Sequence, residues 1–252
     1  MDMSAGEERQ RRTDSEGPVT IGRFRYLRAP RPLHFPEHEQ VPETKLHLEL
    51  RTMLWHFLKL AFADTALIGC DQFVYWDAAN PRLSLAPDAF VRLGGRDELF
   101  GSWKVWERGA PHVAVEIISD HDARDRNWTA KLHAYRQLGV RELVRFDPDA
   151  TSGKLRIWDR IDNDLTEREP TDAPMPSNVL PGFWLTHEHA ELGATLRLSH
   201  DATGSDLYLT PDETNAKRME ADAKRMEADA KRMEADAQRI RELEAELARR
   251  SR

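Results

Sequence analysis

The chain has 252 residues, 40% hydrophobic and 32% charged, which suits one medium domain with a charged appendage. Its net charge is −7, so the bulk surface is no general polyanion binder, and phosphate contacts have to come from local cationic groups or from metal ions. A single cysteine, Cys70, rules out an internal disulfide and any multi-cysteine zinc site. No run approaches the roughly 18 apolar residues of a membrane span. The first dozen residues lack an apolar signal core, so a cytoplasmic location is expected.

Residues 1–40 are polar and punctuated by Pro30, Pro32 and Pro36, and read as a disordered or extended lead. A helix is expected from about Glu43, since Leu46, Leu50, Met53, Leu54, Phe57, Leu58 and Ala61 recur at three- and four-residue spacing. Strands are expected over Ile68–Trp76, Leu85–Leu93, Val113–Ser119, Glu142–Phe146 and Leu155–Trp158. Between the third and fourth, Trp128, Leu132, Tyr135 and Leu138 mark a second helix that Gly139 closes. Asp147 to Gly153 has the chemistry of a turn, and Leu180 to Leu185 reads as a last short strand. The expected fold is α/β, a mixed sheet flanked by helices over residues 41–195. A linker over 196–215 and a separate helical tail over 216–252 complete the chain.

That tail repeats Lys-Arg-Met-Glu-Ala-Asp-Ala three times from Lys217. Met219, Met226, Met233, Ile240 and Leu247 form one line of a heptad seam and Ala216, Ala223, Ala230 and Ala237 the other. Glu220, Glu227 and Glu234 flank the seam on one side, and Asp222, Asp229 and Asp236 on the other. In a parallel homodimer these acids face one another and repel. A solvated single helix and a weak or heterotypic coiled coil both remain open; a homo-oligomer or a foreign helix would be the partner. The tail holds 11 Lys/Arg and 9 Asp/Glu, so the acidity belongs to the body.

Two acids stand out from the strands. Glu116 interrupts Val113-Ala-Val-Glu-Ile-Ile, a run apolar on both sides as in a doubly buried strand, where an ionised carboxylate is costly unless paired or metal-bound. Either a structural ion pair with Arg92 or Arg145, or a functional site, would explain it. Asp88, after Pro87, could be a strand-edge cap. Lys131, on the second helix, could be an ordinary solvated lysine or a third site member. Glu49 is more at home on the surface. His187 and His189 could chelate but sit in an unremarkable loop pattern. Ser119, His121 and Asp122 are adjacent in sequence without the spatial arrangement a triad needs. Trp103 and Trp106 precede the third strand and could touch a substrate.

Pro87-Asp88, then Val115-Glu116-Ile-Ile-Ser119, then Asp125, Lys131, Tyr135, Gly139-Val140 and Asp147-Pro148 together resemble the Uma-two-type restriction endonuclease family, of the PD-(D/E)XK nuclease-like superfamily. Leu180-Pro-Gly182 is similar to the family's closing segment, and the resemblance covers about residues 40–190. It implies a restriction-endonuclease-like core, DNA as substrate and Mg²⁺- or Mn²⁺-dependent phosphodiester cleavage. Asp88 and Glu116 would be the metal ligands and Lys131 the residue that orients or activates water. The superfamily's plain motif places its lysine two residues after the acid, where this chain has Ile118, so Lys131 must serve from the following helix. A catalytically silent nuclease-like fold, acting as an interaction module through its tail, is the alternative.

Overall fold

The computed structural model describes residues 19–21, 24–26, 44–118 and 128–251. Strands β1 (Val19–Ile21) and β2 (Phe24–Tyr26) pair antiparallel, Val19 opposite Tyr26, in a unit of their own. The remainder of the expected 1–40 lead lies outside the described residues.

The second unit opens with α1 (Lys45–Phe62). Its N-cap is Thr44, whose hydroxyl accepts from the His47 amide at 3.2 Å and satisfies one of the four amides a helix start leaves unpaired. Leu50, Leu54, Phe57 and Leu58 are buried on one stripe of this helix. Full burial of each side chain contributes about 1.5–3 kcal/mol.

The expected strand Ile68–Trp76 is two strands, β3 (Ala66–Gly69) and β4 (Val74–Tyr75), separated by Asp71 at φ 62°. Leu85–Leu93 is likewise split into β5 (Ser84–Leu85) and β6 (Ala89–Leu93). Pro87 lies in that break, without an amide hydrogen for a ladder, and its carbonyl instead accepts from the Asp71 amide at 2.9 Å. The break places Asp88 at the mouth of β6 instead of within a ladder. Next come β7 (Trp103–Lys104), the single turn α2 (Val105–Arg108) and β8 (Val113–Ile117), all five of whose residues are buried.

The crossover helix α3 (Trp128–Leu138) leads to β9 (Glu142–Phe146), at the predicted bounds. Gly139, at φ 93°, ends α3 in the left-handed conformation that glycine adopts without a Cβ penalty, and its amide bonds the Tyr135 carbonyl at 3.1 Å. After β10 (Leu155–Ile161) and β11 (Asp164–Glu167) come three strands that sequence periodicity largely missed: β12 (Met175–Pro176), β13 (Phe183–His189) and β14 (Gly193–Ser199).

Six strands form the main sheet in the order β11-β10-β9-β8-β6-β3. Only β8 and β9 run parallel within it, as a pair joined through a crossover helix must, so the sheet is mixed and the α/β class is the expected one. α1 packs between this sheet and the β12-β13-β14 sheet, its Leu54, Phe57 and Leu58 sharing one core with Val115, Ile117, Trp184 and Leu198. On the sheet's other face Tyr135 and Leu138 of α3 pack with Phe90, Ala114, Leu143 and Trp158.

The expected linker over residues 196–215 begins inside β14, where Leu196 and Leu198 are core residues. The C-terminal helix α4 (Pro211–Arg250) starts earlier than the heptads suggest. Thr210 and Glu213 form a reciprocal capping box at its start. Arg197 of β14, 1% exposed, donates to both Glu213 oxygens at 2.8 and 2.7 Å, which roots the helix in the sheet. Burial drives the Glu213 carboxyl upward, but the Arg197 guanidinium and the Thr210 contacts outweigh it and hold the group at about 2. Met219, Met226, Met233, Ile240 and Leu247 of the seam are all exposed. No helix of the described residues is long and apolar enough to cross a membrane.

Candidate active site at the end of the third buried strand

Register brings the two acids together. Ala89 of β6 pairs with Val115 of β8 in an antiparallel ladder, so Asp88, the residue just before β6, lies beside the end of β8, close enough for its charge to act on Glu116. Asp88 is 7% exposed and Glu116 3%. Asp88 Oδ2 accepts from the Ile117 amide at 2.7 Å, which pins its carboxylate to the end of β8.

Glu116 faces α3. Lys131 Nζ donates to its Oε2 at 2.8 Å, and the Tyr135 hydroxyl donates to its Oε1. Lys131 and Tyr135 lie one turn apart, at the i,i+4 spacing that puts two side chains on one helix face. Burial pushes the Glu116 carboxyl up to about 7; Lys131 opposes this and the nearby charge of Asp88 adds to it. Burial, reinforced by Glu116, pushes the Tyr135 hydroxyl well above its ordinary range, so it stays a proton donor.

The two arginines considered as structural partners for Glu116 are engaged elsewhere. Arg92 donates to the Ala110 carbonyl at 2.5 Å and lies 3.1 Å from His112 Nε2. Arg145 bonds Asp147 at 3.2 Å and stacks over the Trp128 ring, 5.3 Å from its centroid. Lys131 is correspondingly no free surface lysine: its side chain is 30% exposed and ion-paired with Glu116. Ile118, at the superfamily's lysine position, is buried at 4% exposure.

A third element reaches the corner from the opposite face. His47, in the first turn of α1, places Nε2 3.3 Å from Asp88 Oδ1 and 3.1 Å from the Ile117 carbonyl oxygen. In the sequence it is one of ten histidines and no motif surrounds it, although it sits three residues before Leu50 and so continues the buried stripe of α1. That position was the available signal. A cavity of about 260 Å³ lies beside it, lined by His47, Ile117, Ile118 and Asp149 among others. Neither Asp88 nor Glu116 is among the residues that line this cavity or the hollow of about 500 Å³ bounded by Arg145, Arg156 and residues of the 150–153 and 170–172 loops.

Glu142 shows what a structural acid looks like in this fold. It is fully buried, and it accepts from Ser177 Oγ at 2.7 Å, the Asn178 amide at 2.7 Å, Trp184 Nε1 at 2.9 Å and Arg168 Nη2 at 3.1 Å. Among the described residues four donors satisfy it, against two for the side chain of Glu116.

Other sequence candidates fall outside this corner. Asp125, Ser119, His121 and Asp122 lie outside the described residues. Glu49 is exposed. His189 Nδ1 accepts from the Glu191 and Leu192 amides at 3.2 and 3.3 Å, the role of a turn residue. Trp103 is fully buried, edge-on to Phe90 and Phe100 with its indole N–H on the Gly109 carbonyl at 2.8 Å, so it is a core residue and no substrate contact. Trp106 is 49% exposed.

No curated protein matched the chain. Among solved structures, a protein from Anabaena variabilis ATCC 29413, described as a putative nuclease belonging to DUF820, aligns at 14% identity and a TM-score of 0.37 over 54% of this chain and 73% of its own. A family model, Uma2, described as "Putative restriction endonuclease", matches residues 37–188, which is more than half of the chain and spans Asp88, Glu116 and Lys131. The chain therefore belongs to the Uma2 family.

Proposed function

We propose that the protein is a metal-dependent endonuclease that hydrolyses phosphodiester bonds of DNA. The observation that carries this reading is Glu116: a buried acid, near a second buried acid, held by a lysine and a tyrosine with its carboxyl pushed up to about 7. A carboxylate needed only for the fold would be satisfied as Glu142 is. Perturbed acids of this kind cluster at functional sites.

The donor set fits a hard divalent cation. Asp88 supplies carboxylate oxygens from the mouth of β6 and Glu116 from β8, and among the described residues these two buried acids have Lys131 as their cationic neighbour, a balance that a divalent ion would offset. Asp88 and Glu116 would hold Mg²⁺ or Mn²⁺. When bound, the ion supplies an acidified water and neutralises charge developing on the phosphate. The Ile117 amide fixes the direction of Asp88, and Tyr135 fixes one oxygen of Glu116. Lys131 keeps a cationic N–H at the second oxygen, where it can orient the attacking water and the phosphate oxygen it approaches.

The test uses the full chain with supercoiled plasmid and Mg²⁺ or Mn²⁺. Cleavage is expected for the wild type and absent in Asp88→Asn and Glu116→Gln. Cleavage that survives both substitutions removes this corner as the site.

A further inference from the structure

His47 belongs to neither the family motif described above nor the acid–lysine–tyrosine set, yet its imidazole is directed into the same corner. Its side chain is 13% exposed, and among the described residues its Nε2 has two acceptor oxygens around it: Asp88 Oδ1 at 3.3 Å and the Ile117 carbonyl at 3.1 Å. The Nε2-protonated tautomer satisfies both. Neither contact is incidental. The Thr44 cap fixes the first turn of α1, and the Ile117 amide holds the other Asp88 oxygen at 2.7 Å, so that Oδ1 is the oxygen left facing the ring.

Three Lewis-basic atoms from α1, the mouth of β6 and the end of β8 thus gather around one proton. Around an octahedral ion with ligands at about 2.0–2.1 Å, neighbouring ligand atoms stand about 3 Å apart. The two contacts at Nε2 are close to that spacing, so a divalent cation can take the proton's place with small side-chain shifts. Resting on the metal-dependent reading of this site, we infer that His47 is a cation ligand, contributing Nε2 beside Asp88 and the Ile117 carbonyl oxygen.

Proton bookkeeping is simple: Nε2 releases its proton to solvent and Nδ1 takes one up, so a neutral imidazole binds as the other tautomer and stays neutral. Among the described residues no three His, Cys, Asp or Glu side chains form a metal cage. The cation would therefore depend on a backbone carbonyl and retained waters as well as side chains, which is the usual condition of Mg²⁺ and Mn²⁺ sites. The cavity beside His47 and Ile117 supplies the entry path. An imidazole donor also moves the site's preference from Mg²⁺ toward Mn²⁺ and later transition ions.

The discriminating measurement is pulsed electron paramagnetic resonance on the full-length protein loaded with Mn²⁺ alone, with affinities from calorimetry and folding checked by circular dichroism. Wild type is expected to show ¹⁴N modulation from a coordinated imidazole. In His47→Ala the modulation should vanish and Mn²⁺ affinity fall by about 10–100-fold. His47→Asp, which offers an oxygen ligand instead, should keep Mn²⁺ bound without the ¹⁴N signal and shift preference toward Mg²⁺. A purely orienting histidine would give a different pattern, because an aspartate cannot donate to Asp88 and would repel it. If Mn²⁺ binds in a manner that Asp88→Asn abolishes, but without ¹⁴N modulation or with modulation that persists in His47→Ala, the ligand role is overturned and the metal site stands. If the wild type binds no Mn²⁺, the metal-dependent reading falls and the role of His47 with it.

Discussion

Replacing Glu116 with glutamine should make the protein more stable, and increasingly so as the pH rises. In the folded protein the carboxyl is raised from 4.5 to about 7, chiefly by burial, so folding favours its protonated form. The sign follows directly. A group whose folded value lies above its unfolded one contributes fully below pH 4.5, and that contribution is lost as the pH climbs through 7. Each tenfold change in proton affinity is worth about 1.4 kcal/mol, so the ionised site carries a cost of about 3 kcal/mol at pH 8 relative to pH 4. Glutamine keeps the shape and the Lys131 and Tyr135 neighbours but does not titrate. Urea unfolding of wild type and Glu116→Gln at half-unit steps from pH 4.5 to 8, without divalent ions, measures the difference. The stability gap should widen by about 3 kcal/mol in favour of the variant across that window. A gap that stays flat with pH would refute the claim that Glu116 is held against its ionised form.

Three further outcomes follow. Glu142→Leu should lose about 3–5 kcal/mol in the same assay, because it strands the Trp184, Ser177 and Asn178 donors and leaves Arg168 with Asp159 as its remaining carboxylate partner among the described residues. Glu213→Gln should lose about 1–2 kcal/mol at pH 7, discounted because the Glu213 side chain is 35% exposed. The depressed carboxyl means this loss should shrink as pH falls from 4.5 toward 2, which thermal melts across that range would record. Lys131→Met should lower plasmid cleavage by about 10²–10⁴-fold while Mn²⁺ binding, followed by calorimetry, persists.

The main helices and the central strands were legible because their periodicity is set by burial, and β8 and β9 owe their apolar runs to cover on both faces. Asp88 and Glu116 were legible for the complementary reason: each is a charge where the pattern demands none. What escaped has physical causes. The breaks before β4 and β6 come from Asp71 at positive φ and from Pro87, which interrupt runs that hydrophobicity alone joins. β13 starts within the expected Leu180–Leu185 segment but runs on through the polar stretch Thr186–His189, and in β14 Arg197, which looks like a surface position, is buried against Glu213. His47 is one turn from Leu50, but only the approach of α1 to the end of β8 gives it meaning, and that approach is a long-range fact.

The rooted C-terminal helix sets a length scale for the molecule. Its 40 residues rise about 60 Å, the extent of about 18 stacked base pairs. The capping box and Arg197 clamp only one end, and the helix residues from Thr214 onward are exposed, with pairs such as Glu220–Lys224 and Glu227–Lys231 stiffening the rod from its own sequence. Because those pairs are screened by salt, the stiffness of the rod is a property of the medium, whereas the direction in which it leaves the sheet is a property of the fold. Anything fastened to the far end would be kept at arm's length from the sheet, on a reach that ionic strength can shorten.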